Sequence, residues 1–312
     1  MSALICGSFA FDNIMVFQDR FKNHILPDKI HILNVSFLVP EMRREFGGCA
    51  GNIAYNLKMI GGEPLPMATV GEDFAPYAAW MDELGIRRDC VTEVAGSLTA
   101  QAFITTDLDD NQITAFHPGA MSHSAHNAVS AAGPVKLGII APDGRDGMLA
   151  HAEQMQAAGI PFIFDPGQGM PMFDGDDLTR FVDAATWVTV NDYESELMTE
   201  RTGLAPEALA ERVEACIVTR GAEGSYIYTG GERIEVPAAR PAAIKDPTGC
   251  GDAYRAGLLY GLMHDLPWET TGRIASLLGA IKIEHAGTQN HRVTRAEFAA
   301  RYAREFGTAL DW

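Results

Sequence analysis

The 312-residue sequence lacks several features that would place it quickly. It has no apolar run of about 18 residues, the minimum for a membrane-spanning helix. Basic residues are scarce: 24 Lys and Arg against 41 Asp and Glu leave a formal charge of −17. That balance excludes the basic footprint of a nucleic-acid binder and docking to anionic lipid. Cysteines are few and odd in number: Cys6, Cys49, Cys90, Cys216 and Cys250, with no Cys-x-x-Cys pair. This suits a reduced, cytoplasmic protein rather than a disulfide framework. The first residues carry no basic n-region, so no signal peptide is expected. Nowhere does Gly-Lys-Ser/Thr end a glycine loop, which excludes a P-loop, and Gly7-Ser8-Phe9-Ala10 is not a dinucleotide fingerprint. The Asp107-x-Asp109-x-Asn111 stretch begins like a calcium loop. It then places Gln112 where glycine belongs and Pro118 where the bidentate acid belongs. His123 and His126 have no acid or Cys partner at metal-site spacing.

What is present is a change of rhythm. Short apolar runs at 137–141, 161–164, 187–190 and 216–219 alternate with helical stretches such as 147–158 and 194–202. That alternation predicts an α/β fold with a parallel sheet covered on both faces, binding ligands beyond the carboxyl ends of its strands. Earlier in the chain, 4–9 reads as a buried strand closing on Asp12. One or two strands are expected within 25–39, and a turn at 45–48. A helix is expected at 50–60 and a strand at 67–70. The acidic stretch 107–111 reads as the turn of a hairpin between strands at 100–106 and 112–117. The whole chain, 1–312, reads as one domain. The β-rich pieces at about 11–38 and 100–118 are excursions from the main sheet.

The most informative stretch is Asp246-Pro247-Thr248-Gly249-Cys250-Gly251-Asp252, which runs into a segment with helical periodicity through Tyr254, Leu258 and Leu262. A glycine turn opening a helix aims unpaired N–H groups at one point and can hold an anion. Small residues let the backbone approach closely. An acid at the exit of that turn supplies a base beside the anion. Together they suggest transfer of a phosphoryl group to a hydroxyl, with Gly249, Cys250 and Gly251 stabilising charge and Asp252 taking the proton. The plainer reading is a strand-to-helix turn capped by Asp252.

This stretch resembles the Asp-Thr-x-Gly-Ala-Gly-Asp signature of the ribokinase-like, or phosphofructokinase-B type, carbohydrate and nucleoside kinases. Pro247 and Cys250 replace the usual Thr and Ala. Gly47, Gly48, Asn52, Ala54, Gly61, Gly71 and Asp73 resemble, in order, the family's N-terminal signature. The resemblance spans Gly7 to Gln289 and implies a three-layer α/β/α sandwich with a mostly parallel sheet and a small β-sheet lid. It implies that Asp12 receives sugar hydroxyls, that Gly47 and Gly48 let the sugar lie against the backbone, and that Asn52 bonds a hydroxyl. Asn191 and Glu194 resemble the Asn-x-x-Glu motif that places Mg²⁺ through water; alone, they would read as a helix cap. Thr219, Arg220, Gly221 and Gly224 resemble the loop along the ATP phosphates and ribose. Gly287 and Gln289 lie in a stretch resembling the loop that closes over adenine. That loop, with Asp246 and the Thr248 carbonyl, is implied to hold a monovalent cation such as K⁺.

The wording of 46–55 and 111–121 looks most like bacterial and archaeal adenosine or broader nucleoside kinases, which implies a small-molecule nucleoside as substrate. Phe37, Phe103 and Phe116 offer flat faces for a purine; they read equally as lid core. Asn13, Gln101 and Gln168 are candidates for bonding base or ribose. Two other readings stay open: a kinase of ribose or of a phosphosugar, whose phosphate would need cations such as Arg43 or Arg44, and a non-catalytic nucleotide-binding protein. An apolar lid could close its own site or pair with a second copy.

Overall fold

The computed structural model describes residues 1–25, 32, 34–109 and 111–310. Its strands are, in chain order, β1 (Ser2–Cys6), β2 (Ala10–Val16), β3 (Glu41–Gly47), β4 (Pro64–Val70), β5 (Cys90–Glu93), β6 (Ala100–Thr106), β7 (Gln112–His117), β8 (Val135–Ile140), β9 (Phe162–Phe164), β10 (Trp187–Asn191), β11 (Ala215–Thr219), β12 (Ser225–Thr229) and β13 (Glu232–Val236). Among the described residues, nine of them form one sheet in the order β13-β12-β11-β10-β9-β8-β1-β4-β5. Pairing is parallel from β5 through to β11 and antiparallel at β12 and β13. The interior strands are mostly apolar because both faces are covered. Ile5, Ile139, Ile163 and Ile217 face the layer of helices Cys49–Met59, Cys250–Met263 and Trp268–Ile283. Leu4, Ile140, Phe162, Phe164 and Val188 face the opposite layer, which includes the helices Arg145–Ala158 and Gly175–Ala184. The α/β architecture read from the alternation is the one observed. The antiparallel edge β12–β13 and the helix Trp268–Ile283 carried no signal that was recognised.

The second sheet has the order β3-β2-β6-β7. The 100–106 and 112–117 strands sit where the hairpin reading put them, although Asp110 in their turn lies outside the described residues. Other expectations need correction. The first strand of the main sheet ends at Cys6, and Asp12 belongs to β2 of the second sheet. Residues 26–31 and 33 of the expected 25–39 strands lie outside the described residues, and 34–39 form no strand. The strand that pairs with β2 on the side away from β6 is Glu41–Gly47, so the expected turn at 45–48 is the end of a strand. Its sequence, Glu-Met-Arg-Arg-Glu-Phe-Gly, hides it: the strand is an exposed edge and shows little apolar alternation. Phe37 packs on Phe17 and Phe21, with ring centroids 4.8 and 5.0 Å apart, as a small aromatic core rather than an open platform.

Candidate active site

The two sheets meet at Gly47–Gly48. Gly48 has φ +86°, and a Cβ there would lie 2.5 Å from the Ser8 carbonyl oxygen, so only glycine allows the chain to leave β3 and enter the helix Cys49–Met59. Gly47 is needed for a different reason: its Cβ would fall 2.4 Å from Asp12 Oδ2. The Asp12 carboxyl therefore lies against bare backbone. It is pushed up to about 6 by burial and by the neighbouring charges of Glu45 and Asp246.

Asn52, on the first turn after Gly48, reaches across the cleft. Its Nδ2 donates to Asp252 Oδ2 at 2.8 Å, and its Oδ1 accepts from Gln289 Nε2 at 3.0 Å. Asp252 leaves the turn on the third residue of the helix Cys250–Met263. Burial pushes its carboxyl up to about 6; the Asn52 bond works the other way. Gly249 holds the turn open in the left-handed region at φ +79°. The N–H of Cys250 donates to the Pro247 carbonyl at 3.2 Å, so it is spent inside the turn. This corrects one expectation. The N–H groups of Gly249, Gly251 and Asp252 have no acceptor among the described residues, and these are the ones left for an anion. The Cys250 thiol is raised to about 11 by burial, so it stands there as a neutral group.

The far end of the cleft is built from strand ends. Asn191 and Thr219 are register partners at the carboxyl ends of β10 and β11. Asn191 Oδ1 accepts from the Glu194 N–H at 2.7 Å while Glu194 Oε2 accepts from the Asn191 N–H at 2.8 Å, a reciprocal helix cap. The second Glu194 oxygen accepts no hydrogen bond among the described residues and is left for water. Burial and the nearby Asp165 raise the Glu194 carboxyl. Arg220, Gly221 and Gly224 form the tight connection between antiparallel β11 and β12, with the Arg220 N–H donating to the Gly224 carbonyl at 2.8 Å. The Arg220 guanidinium pairs with Glu223 and lies 4.4 Å from the centre of the Tyr226 ring. Gln168 is exposed in the turn Gly167–Met172 that follows β9, at the same carboxyl edge.

Several candidates are not where the sequence placed them. In register, Asp12 pairs Ala102, and Ala102 pairs Phe116; Asn13 pairs Phe103. Successive side chains alternate faces, so Phe116 shares the Asp12 face while Asn13, Gln101 and Phe103 lie on the other. Asn13 and Gln101 are buried there in a closed set of bonds. Asn13 Nδ2 donates to Gln101 Oε1 at 3.2 Å, Arg44 Nε to Asn13 Oδ1 at 3.1 Å, and Gln101 Nε2 to Asp73 Oδ2 at 3.0 Å. Their polar groups are spent within the protein. Gln289 is likewise buried: it bonds Asn52, accepts from Trp80 Nε1 at 3.0 Å and donates to the Tyr77 hydroxyl at 2.6 Å. It braces Asn52 rather than lying over a base. Gly287 donates its N–H to Asp246 Oδ2 at 2.8 Å.

Sequence reasoning passed over two buried charges. Arg255, one turn beyond Asp252, makes a bidentate pair with Asp165 at the end of β9, both bonds 3.0 Å, and lies 4.0 Å from Glu194. Burial works against the Arg255 charge, but Asp165 outweighs it and the guanidinium stays protonated. The available signal was an arginine on an otherwise apolar helix. Lys282 is fully buried between Ile281 and Ile283 and would have been found the same way.

A family model described as the pfkB family carbohydrate kinase matches residues 12–295. A nucleoside kinase of Methanocaldococcus jannaschii is 31% identical over 84% of this chain and 86% of its own length. The solved structure of Burkholderia thailandensis nucleoside kinase in complex with inosine is 52% identical, covers 99% of both chains and superposes with a TM-score of 0.90. The same enzyme in complex with ADP-inosine is 53% identical, covering 99% of this chain and 97% of that one, with a TM-score of 0.88.

Proposed function

This chain belongs to the pfkB family of carbohydrate kinases, and we propose that it is an ATP-dependent nucleoside kinase that phosphorylates the 5′-hydroxyl of a purine nucleoside. The observation that carries the reading is the hydrogen bond from Asn52 to Asp252 beside the open N–H groups of the Gly249–Asp252 turn. It joins the sugar end of the cleft to the phosphate end at one carboxylate. The likeness to the nucleoside kinase seen with inosine and with ADP-inosine supports the same substrate class.

On this reading Asp12 accepts hydrogen bonds from ribose hydroxyls, and the bare backbone of Gly47 and Gly48 lets the ribose approach. Asp252 removes the proton from the 5′-hydroxyl, which attacks the γ-phosphorus in line. The N–H groups of Gly249, Gly251 and Asp252 meet the charge that develops on the phosphoryl oxygens. Arg255, held by Asp165, keeps the Asp252 helix in register with the ends of β9 and β10. The strand ends at Asn191, Thr219 and Gly221–Gly224 receive the nucleotide. Mg²⁺ fits here as an ion held mainly by water and phosphate, with Glu194 offering a free carboxylate oxygen, and it would neutralise charge between the β- and γ-phosphates. Where K⁺ was expected a protein cation already stands: the Asp246 carbonyl accepts the Lys282 ammonium, while each Asp246 carboxylate oxygen accepts a backbone N–H. Phe116, on the Asp12 face of the second sheet, supplies a flat face for the base. That sheet acts as a lid. Its outer face, where Met42, Phe103 and Ile113 are exposed, suits pairing with a second copy; sedimentation of wild type against Phe103→Asp tests this. Arg44 lies on the outer face, away from Asp12, while Arg43 lies on the Asp12 face and is paired with Glu45. Five free thiols suit a cytoplasmic setting, and no helix is long and apolar enough to cross a membrane among the described residues.

The test is ADP release with adenosine, inosine, guanosine, ribose and fructose 6-phosphate. Turnover with one or more nucleosides at a kcat/KM well above that for the free sugars is expected. Turnover with the sugars alone would replace the substrate assignment, and none with any acceptor would leave a binding protein.

A further inference from the structure

Lys282 ends an apolar helix and has no contact with solvent. Burying an ammonium is costly by several kcal/mol unless its surroundings are arranged to receive it. Here they are. Its Nζ donates to the Asp246 carbonyl at 2.7 Å and to the His285 carbonyl at 3.1 Å. Asp246 begins the turn that ends in Asp252. His285 begins the loop whose Gly287 N–H bonds the Asp246 carboxylate and whose Gln289 braces Asn52. One ammonium therefore ties together the two segments that shape the phosphate end of the cleft.

The ligand set is telling. Backbone carbonyl oxygens are the groups that hold K⁺ where proteins bind it, and here they hold a protein cation. Burial pushes the Lys282 ammonium down from its ordinary value, and the nearby Asp246 and Asp252 work the other way. Meanwhile the Asp246 carboxylate is turned to the backbone of the same two segments: Oδ1 accepts the Thr248 N–H at 2.9 Å and Oδ2 the Gly287 N–H at 2.8 Å. If the position served packing alone, an aliphatic side chain like those of Ile281 and Ile283 would suit it at no desolvation cost.

We propose that Lys282 is a tethered cation: it supplies the fixed positive charge behind the Asp246–Asp252 turn, so the phosphoryl transfer needs no monovalent metal ion. Lys282 touches neither substrate, so it is a positioning residue. Its ammonium holds the turn and the 285–289 loop in the geometry that points the Gly249, Gly251 and Asp252 N–H groups at the phosphate, and adds a positive potential there. The inference rests on the kinase reading.

The experiment measures kcat and KM for ATP in tetramethylammonium, potassium and ammonium chloride at matched ionic strength. Wild type should turn over equally in all three. Lys282→Ala should lose about 10- to 100-fold in kcat in tetramethylammonium and regain part of it with K⁺, NH₄⁺ or methylammonium, which fit the vacated carbonyls. Lys282→Met, which fills the space without charge, should stay impaired in every salt. Strong activation of wild type by K⁺ overturns the proposal, as does an unimpaired Lys282→Ala or a loss that no cation restores. Where a variant fails to fold, the wild-type response decides. Absence of wild-type turnover in every salt and with every acceptor would instead remove the kinase reading itself.

Discussion

Asn52 Nδ2 donates to Asp252 Oδ2 at 2.8 Å, joining residues that stand 200 apart in the chain. The bond favours the ionised carboxylate and fixes its direction, while burial resists ionisation. The outcome is a carboxyl near 6, basic enough to accept a proton and still charged at neutral pH.

Removing that carboxylate gives the most direct prediction. Asp252→Asn should lower kcat by roughly 10²–10⁴-fold. ATP affinity, measured by calorimetry, should stay close to wild type because the turn's backbone is unchanged. A variant turning over at the wild-type rate would show that Asp252 is not the base.

The pH profile follows from the sign of the shift. Asp252 must be ionised to act as base, and its value is about 6. The kcat/KM, which reports the free enzyme, should therefore fall as pH drops through that value and level off above it. Asn52→Leu removes a donor to the ionised form, so the acid limb should move to higher pH. A limb that stayed in place would separate Asn52 from the charge state of Asp252.

The two lid phenylalanines should differ. Phe116 shares the Asp12 face and Phe103 does not. Phe116→Ala should raise the nucleoside KM by about 2- to 10-fold, the size of an aromatic contact, with little change for free ribose. Phe103→Ala should leave the nucleoside KM alone. The reverse pattern would mean the sheet presents its other face to the substrate.

Asp143, in the loop three residues beyond β8, gives a stability prediction. It is 3% exposed, its Oδ2 has no hydrogen-bond partner, and burial raises it to about 8 from an ordinary 3.8. The folded protein therefore keeps this proton over a range where the unfolded chain has lost it. Its contribution is complete below the unfolded value and is lost as pH rises towards the folded one, by about 1.4 kcal/mol per unit. Between about pH 5 and about pH 7, wild type should lose roughly 2–3 kcal/mol relative to Asp143→Asn in denaturant unfolding. Parallel pH dependences for the two proteins would contradict this.

Local chemistry left a clear mark on the sequence. The Asp246–Asp252 turn needs glycine where φ is positive and an acid where the helix begins, so its residues announce it. The hairpin at 107–111 and the β–α alternation after residue 135 were legible for the same reason: each is decided within a few residues. The Asn191–Glu194 cap shows the limit of such reasoning, because the capping pattern and the nucleotide motif use the same two residues.

What the sequence alone determined was the α/β class and the ordered motifs of a phosphotransferase. Only the tertiary structure decided which side chains face the cleft. A strand presents alternate residues to opposite sides, so one residue separates Asp12, against Gly47, from Asn13, buried in the Arg44–Gln101 network. It also decided the long-range partners: Asp165 for Arg255, the Asp246 carbonyl for Lys282, and Asn52 for Asp252. A lone arginine or lysine in an apolar helix signals that a charge is buried, but Asp165, 90 residues from Arg255, and the Asp246 carbonyl, 36 residues from Lys282, are brought into bonding distance only by the folded backbone.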